Sequence, residues 1–106
     1  MVTERLNELL KFHKEDPADA FTLYAIATEY VNADQDSVAE TWFARLMQDH
    51  PDYLGTYYHY GKLMERKGRE DEAAKLYDKG MAVAKADGDK KTLGELAEAK
   101  EMLDLE

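Results

Sequence analysis

Three side chains in the middle of the sequence combine an aromatic surface with positive charge. Tyr58, Lys62 and Arg66 follow one another at spacings of four, which places them on one face of a helix. Tyr24 lies 34 positions before Tyr58. An aromatic strip bordered by two cations can bind an extended or helical peptide, with an acidic group or a chain terminus next to the cations. These residues are therefore candidates for ligand recognition.

The same residues also have a purely structural interpretation. The two tyrosines would then cover neighbouring helices, and the two cations would pair with acidic side chains. The candidate partners for the cations are Glu29, Glu65 and Glu70. Both interpretations remain open at the level of the sequence.

The three histidines do not form a pattern that binds a metal ion. His13, His50 and His59 lack the spacing of four that puts two ligands on one helix face, and the sequence contains no cysteine. It also has no glycine-rich phosphate loop and no nucleophile elbow. No pair of carboxylates stands apart as an acid–base pair. We therefore expect no catalytic residue, no metal and no cofactor, and we expect that the protein is not an enzyme.

The composition restricts the classes of partner. A net charge of −9 disfavours nucleic acids and anionic membranes. The charge serves solubility or, alternatively, indicates a preference for partners that carry some positive charge. No apolar run is long enough to span a membrane, and the N-terminus does not resemble a secretory signal. The absence of cysteine leads us to expect a cytoplasmic protein. The expected partner is a protein or a peptide.

The elements that must position these residues recur along the chain. When the sequence is shifted by 34 positions, large, small and aromatic residues keep their phase: Pro17 falls on Pro51, Ala27 on Gly61 and Phe43 on Tyr77. Such a period is typical of stacked helical hairpins. Together with the turn signals, it predicts an all-α, right-handed helical-hairpin solenoid of about six helices. We expect a single domain with a cap helix at 1–16, repeats at 20–53 and 54–87, and a second cap helix at 89–106.

Local signals refine this prediction. Thr3 is a plausible N-cap of the first helix, and Ser37 and Glu40 fit the capping-box pattern at the start of the third. Gly61 should lie where a neighbouring helix crosses closely, so that a larger side chain would overpack. Gly80 should lie where another backbone approaches. We also expect Tyr57, Tyr60 and Tyr77 to be buried.

The repeated residues resemble the tetratricopeptide repeat family. The matching positions in the first repeat are Leu23, Ile26, Ala27, Tyr30, Ala39, Phe43, Leu46 and Pro51. In the second repeat they are Tyr57, Tyr60, Gly61, Met64, Ala73, Tyr77 and Gly80. Members of this family are protein-interaction scaffolds, so the resemblance implies a non-catalytic adaptor.

In solenoids of this type the first helix of each hairpin lines the concave face. The residues expected there, outside the packing positions, are Phe21, Tyr24, Thr28, Asn32, Gly55, Tyr58, His59, Lys62 and Arg66. They define a candidate groove for a peptide or protein segment. The alternative function is a self-associating assembly subunit, such as a homodimer, that uses its terminal helices or the surface around Trp42.

Overall fold

The computed structural model describes residues 3–105 and is built from helices alone in that range. Six α-helices follow one another, as the sequence predicts, and the described residues contain no strand. Their bounds are α1 Glu4–Glu15, α2 Ala20–Asn32, α3 Asp36–Asp49, α4 Gly55–Arg66, α5 Glu70–Asp87 and α6 Lys90–Asp104. The prediction of an all-α helical-repeat fold is confirmed.

The helices fall into two compact units. The first unit ends at Tyr53 and contains α1, α2 and α3, and the second begins at Leu54 and contains α4, α5 and α6. This division coincides with the point at which the sequence period separates the two repeats. Each unit therefore holds one repeat and one flanking helix.

The first unit is held together by the apolar faces of its three helices. Leu6 and Leu9 of α1 form a buried cluster with Ala25 and Ile26 of α2. Burial of aliphatic side chains of this size contributes about 1.5–3 kcal/mol each. The partly buried side chains that pack against this cluster are Leu10, Tyr30 and Trp42. Trp42 thus connects α3 to the core of the unit.

Two sequence predictions concern the N-termini of helices in the first unit. One is confirmed and the other is wrong. Thr3 caps α1, since its Oγ1 accepts a hydrogen bond from the backbone N–H of Leu6 at 3.1 Å. The capping box at Ser37 is wrong, because α3 begins at Asp36 and its N-cap is Gln35, without a side-chain cap bond. Asp34, with φ of 59°, lies in the turn just before this N-cap. Ser37 consequently lies inside the first helical turn.

The second unit is organised around buried tyrosines. Tyr57 and Tyr60 of α4 and Tyr77 of α5 are 2%, 8% and 0% exposed, as the repeat phase predicts. The Tyr77 hydroxyl donates a hydrogen bond to the Glu65 carboxylate. Burial and this carboxylate raise the pKa of Tyr77 far above its ordinary value. Its hydroxyl therefore stays protonated and acts as a donor.

Two buried glycines of the second unit make room for these aromatic side chains. A Cβ at Gly61 would lie 2.8 Å from Cζ of Tyr77, which confirms the predicted close approach. A Cβ at Gly80 would lie 2.6 Å from Cβ of Tyr57 and 2.8 Å from Cδ1 of Leu96. The expectation of a neighbouring backbone at Gly80 is supported, because the Cβ of Tyr57 is bonded directly to the main chain of α4.

The junction between α5 and α6 is formed by a short, well-bonded turn. Gly88 adopts φ of 72°, a left-handed conformation that ends α5 and that favours glycine. Asp89 then caps α6, since its carboxylate accepts hydrogen bonds from the backbone N–H of Thr92 at 3.0 Å and from its hydroxyl at 2.7 Å. This turn brings α6 back alongside α5 and α4.

Candidate functional site

A cavity of about 410 Å³ opens between α4 and α6 in the second unit. Both walls are helix faces, so the side chains that line it follow helical spacing. The lining residues are Leu54, Gly55, Tyr58, His59 and Lys62 on one wall and Thr92, Glu95, Glu98, Ala99 and Met102 on the other. The cavity combines aromatic, aliphatic and charged groups within reach of one another.

The α4 wall contains four of the predicted groove residues, Gly55, Tyr58, His59 and Lys62. The half-buried Tyr58 ring lies edge-on to His59, with ring centroids 5.4 Å apart. The Lys62 ammonium group lies 5.6 Å from the centroid of the Tyr58 ring and 3.6 Å from Glu65 Oε2. The structure therefore brings Tyr58, His59 and Lys62 together, and it also forms one of the ion pairs anticipated by the structural interpretation.

The charge on the α4 wall is smaller than the sequence suggests. Partial desolvation lowers the pKa of His59 below its ordinary value of 6.5, so the ring is neutral at pH 7. The positive charge of Lys62 is offset by Glu65. Arg66 is exposed in the last turn of α4 and is not among the residues that line the cavity.

The α6 wall was not anticipated from the sequence. Glu95, Glu98 and Met102 line it at intervals of three and four, and Met102 is 57% exposed. The helical period of α6 could have indicated that these residues share one face. It could not indicate which of the four acidic residues on the polar side of α6 lie next to α4.

The remaining predicted residues lie on α2 in the first unit, where two of them form an aromatic cluster. The Tyr24 ring lies 6.4 Å from that of Phe21 and 5.6 Å from that of Tyr53, and Phe21 is 57% exposed. Burial raises the pKa of Tyr24. The Thr28 hydroxyl donates a hydrogen bond to the Ala25 carbonyl at 3.0 Å, and Asn32 is exposed at the end of α2. Tyr24 is half-buried, less accessible than expected of a groove residue.

Trp42 packs within the first unit. Its ring is stacked with Tyr30 at 6.5 Å and meets His13 edge-on at 5.1 Å. Desolvation, followed by the charge of Arg45, lowers the pKa of His13. Trp42 therefore packs against the core of the first unit from the inner side of α3.

Neither a metal-binding cluster nor a membrane-spanning helix is found in the described part of the chain. Within residues 3–105 the acidic residues and histidines form no group of three or more suited to holding a metal ion. None of the helices in this range has the length and apolar character needed to cross a membrane.

The fold and a large part of the sequence are similar to solved structures. A tetratricopeptide repeat domain protein from Salinibacter ruber, solved in solution, is 46% identical over 83% of this chain and 89% of its own, with a TM-score of 0.79. A crystal structure of a tetratricopeptide repeat domain protein from Salinibacter ruber gives 45% identity over 81% of this chain and 96% of that one, with a TM-score of 0.77.

A protein from Bordetella parapertussis has the same fold at 18% identity, with a TM-score of 0.82 over 98% of this chain and 90% of its own. A scan against protein-family models and a search of curated proteins find no match.

Proposed function

Because the chain belongs to the tetratricopeptide repeat family, we propose that it is a non-catalytic protein-interaction module that binds a peptide segment of a partner. The binding surface is the cavity between α4 and α6, with Tyr58, His59 and Lys62 on its α4 wall. The predicted residues on α2, Phe21, Tyr24, Thr28 and Asn32, form a separate candidate surface in the first unit, and Arg66 extends the cavity surface along α4. The cysteine-free sequence suits a reduced compartment such as the cytoplasm.

The observation that carries this proposal is the composition of the cavity. Ligand sites combine aromatic and aliphatic area with a few polar groups that fix orientation. Here the Tyr58 ring and Met102 provide apolar area, while Lys62, Glu95 and Glu98 provide charge at its edges. Rigid aromatic side chains at such a position favour binding, because little conformational entropy is lost when a partner covers them.

The test is capture of a partner by the purified protein and by two variants. Tyr58→Ala removes the aromatic part of the cavity, and Phe12→Ala removes an aromatic side chain on α1 that is 58% exposed and does not line the cavity. A photo-crosslinking residue at position 62 would identify the captured protein and the segment in contact. We expect capture by the wild type and by Phe12→Ala, and at least about a tenfold loss with Tyr58→Ala, the effect of a strong interface residue.

Equal capture by both variants, at unchanged helicity, would contradict the placement of the site. If Tyr58→Ala unfolded the domain, crosslinks formed at position 62 of the protein that retains Tyr58 would still report whether a partner covers the cavity. A chain that forms no crosslink there to any partner would contradict the proposal itself.

Self-association is the second candidate function, favoured by three exposed apolar side chains on the terminal helices. Phe12 of α1, Met102 of α6 and Leu105 directly after α6 are 58%, 57% and 76% exposed. Exposed apolar side chains of this size can be covered by a second copy. The observation favours the terminal helices over Trp42, whose ring packs against Tyr30 and His13. A monomer that persists at all concentrations in native mass spectrometry would exclude this function.

A further inference from the structure

We propose that the cavity between α4 and α6 selects peptides in which a lysine or arginine stands next to an apolar residue. This inference rests on the proposed function, namely that the cavity binds a peptide segment. It reverses the expectation from the sequence, in which Lys62 and Arg66 would receive an acidic group. The reversal follows from how the charges are distributed around the cavity.

Two carboxylates on the α6 wall are available to a partner. Glu95 and Glu98 are both exposed and line the cavity. Neither side chain has an ion-pair or hydrogen-bond partner among residues 3–105. A basic group that enters the cavity can pair with either carboxylate without displacing a bonded partner from it. Charge complementarity of this kind chooses between partners and fixes their register.

The positive charge on the facing wall is already compensated. Lys62 lies 3.6 Å from Glu65, and its ammonium group is above the Tyr58 ring. His59 adds no charge at neutral pH, because desolvation lowers its pKa. The cavity therefore presents a negative edge at pH 7, and an acidic ligand would have to displace Glu65 from Lys62 while it approached Glu95 and Glu98.

The apolar part of the ligand is indicated by the surfaces next to the carboxylates. Met102 lies one helical turn beyond Glu98, is 57% exposed and has a flexible thioether side chain that adapts to different shapes. Ala99 and Leu54 lie in the same lining and leave room beside it. An aliphatic or aromatic side chain adjacent to the basic residue would cover this area, and the methylene stem of a lysine or arginine would extend it.

The inference can be tested with short random peptides displayed on phage and selected on the immobilised wild-type protein. Selected peptides, labelled with fluorescein, are then titrated with the wild type, with Glu95→Gln/Glu98→Gln and with Tyr58→Ala. Asp87→Asn/Glu101→Gln is the matched control, because it removes two exposed carboxylates that do not line the cavity. Thermal unfolding of each variant monitors the fold.

We expect the selected peptides to share a lysine or arginine beside an apolar residue. The loss of two exposed ion pairs in Glu95→Gln/Glu98→Gln should raise Kd by about two- to thirtyfold. The Kd of the control should stay within about twofold of the wild-type value. The difference between the two double variants should shrink as salt is added, because exposed charges are screened.

The two proposals fail in different ways. Peptides that lose affinity with Tyr58→Ala but are acidic, or are indifferent to Glu95→Gln/Glu98→Gln, would overturn this inference and leave the proposed function in place. If no selected peptide depended on Tyr58, the proposed binding at this cavity would fail, and the inference would fail with it.

Discussion

The sharpest prediction concerns Gly61, where an alanine should destabilise the protein even though alanine is the better helix former. Replacing glycine by alanine inside a helix ordinarily stabilises it by about 1 kcal/mol. At Gly61 the added Cβ would lie 2.8 Å from Cζ and 2.9 Å from Cδ1 of Tyr77. Carbon atoms in favourable contact are about 3.5–4.0 Å apart, so the ring would have to move.

Tyr77 has little freedom to move. It is 0% exposed, and its hydroxyl is bonded to Glu65. Overpacking of a filled core costs about 1–3 kcal/mol, which offsets or exceeds the gain in helix propensity. We therefore expect Gly61→Ala to lower the free energy of unfolding by up to about 2 kcal/mol, or the melting temperature by about 4–8 °C per kcal/mol for a domain of this size.

Gly94→Ala is the matched control. Gly94 lies inside α6, is exposed, and has no atom within 4 Å of an added Cβ. Its substitution should raise stability by about 1 kcal/mol, so the two glycine-to-alanine changes should have opposite signs. Urea and thermal unfolding followed by circular dichroism measure both.

A second substitution tests the cause. In a Tyr77→Leu background the aromatic carbons are absent, and Gly61→Ala should no longer be unfavourable relative to that background. If Gly61→Ala stabilised the wild type as much as Gly94→Ala does, the reasoning from the contact with Tyr77 would be refuted.

Two further predictions concern helix capping and pH. Asp89→Ala should lower the free energy of unfolding by about 1 kcal/mol, because the carboxylate accepts hydrogen bonds from the N–H and hydroxyl of Thr92 at the start of α6. Asp89→Asn should retain most of the wild-type stability, since asparagine is also a good N-cap. Urea unfolding that shows no difference between the two variants would contradict the cap. The pKa values of His13 and His59 are lowered in the folded state, so the unfolded chain binds more protons as the pH falls through 6.5. Stability should therefore decline as the pH falls from 7 through 6.5, and His13→Gln should reduce that decline in melting temperature. An equal decline in the variant would rule out a contribution from His13.

The sequence was most informative where the repeat phase determines burial. Tyr57, Tyr60 and Tyr77 are aromatic residues at positions that the 34-residue period assigns to helix packing, and all three are buried. Gly61 matches Ala27 in this phase, and its lack of a side chain already pointed to a close crossing. These features could be predicted because the same pattern of residues occurs in both repeats.

The features that the sequence could not predict depend on one turn or on one helix orientation. The helix α3 begins at Asp36, after the left-handed turn at Asp34, so Ser37 lies two residues beyond the N-cap Gln35 and its hydroxyl does not cap the helix. Likewise, Glu95 and Glu98 become part of a cavity wall only because α6 turns that side towards α4. Four acidic residues, Glu95, Glu98, Glu101 and Asp104, occupy the polar side of α6, and no local pattern distinguishes the two that line the cavity from the other two.

The pairing of helices within each unit also affects how fast the chain folds. The main packing partners, α2 with α3, α4 with α5 and α5 with α6, are consecutive along the chain. Contacts between neighbours close short loops, and the entropy lost in closing a loop grows with its length. Proteins dominated by such local contacts fold in about microseconds to milliseconds. During synthesis each hairpin can therefore cover its apolar stripe soon after its second helix has emerged, which limits the time available for aggregation.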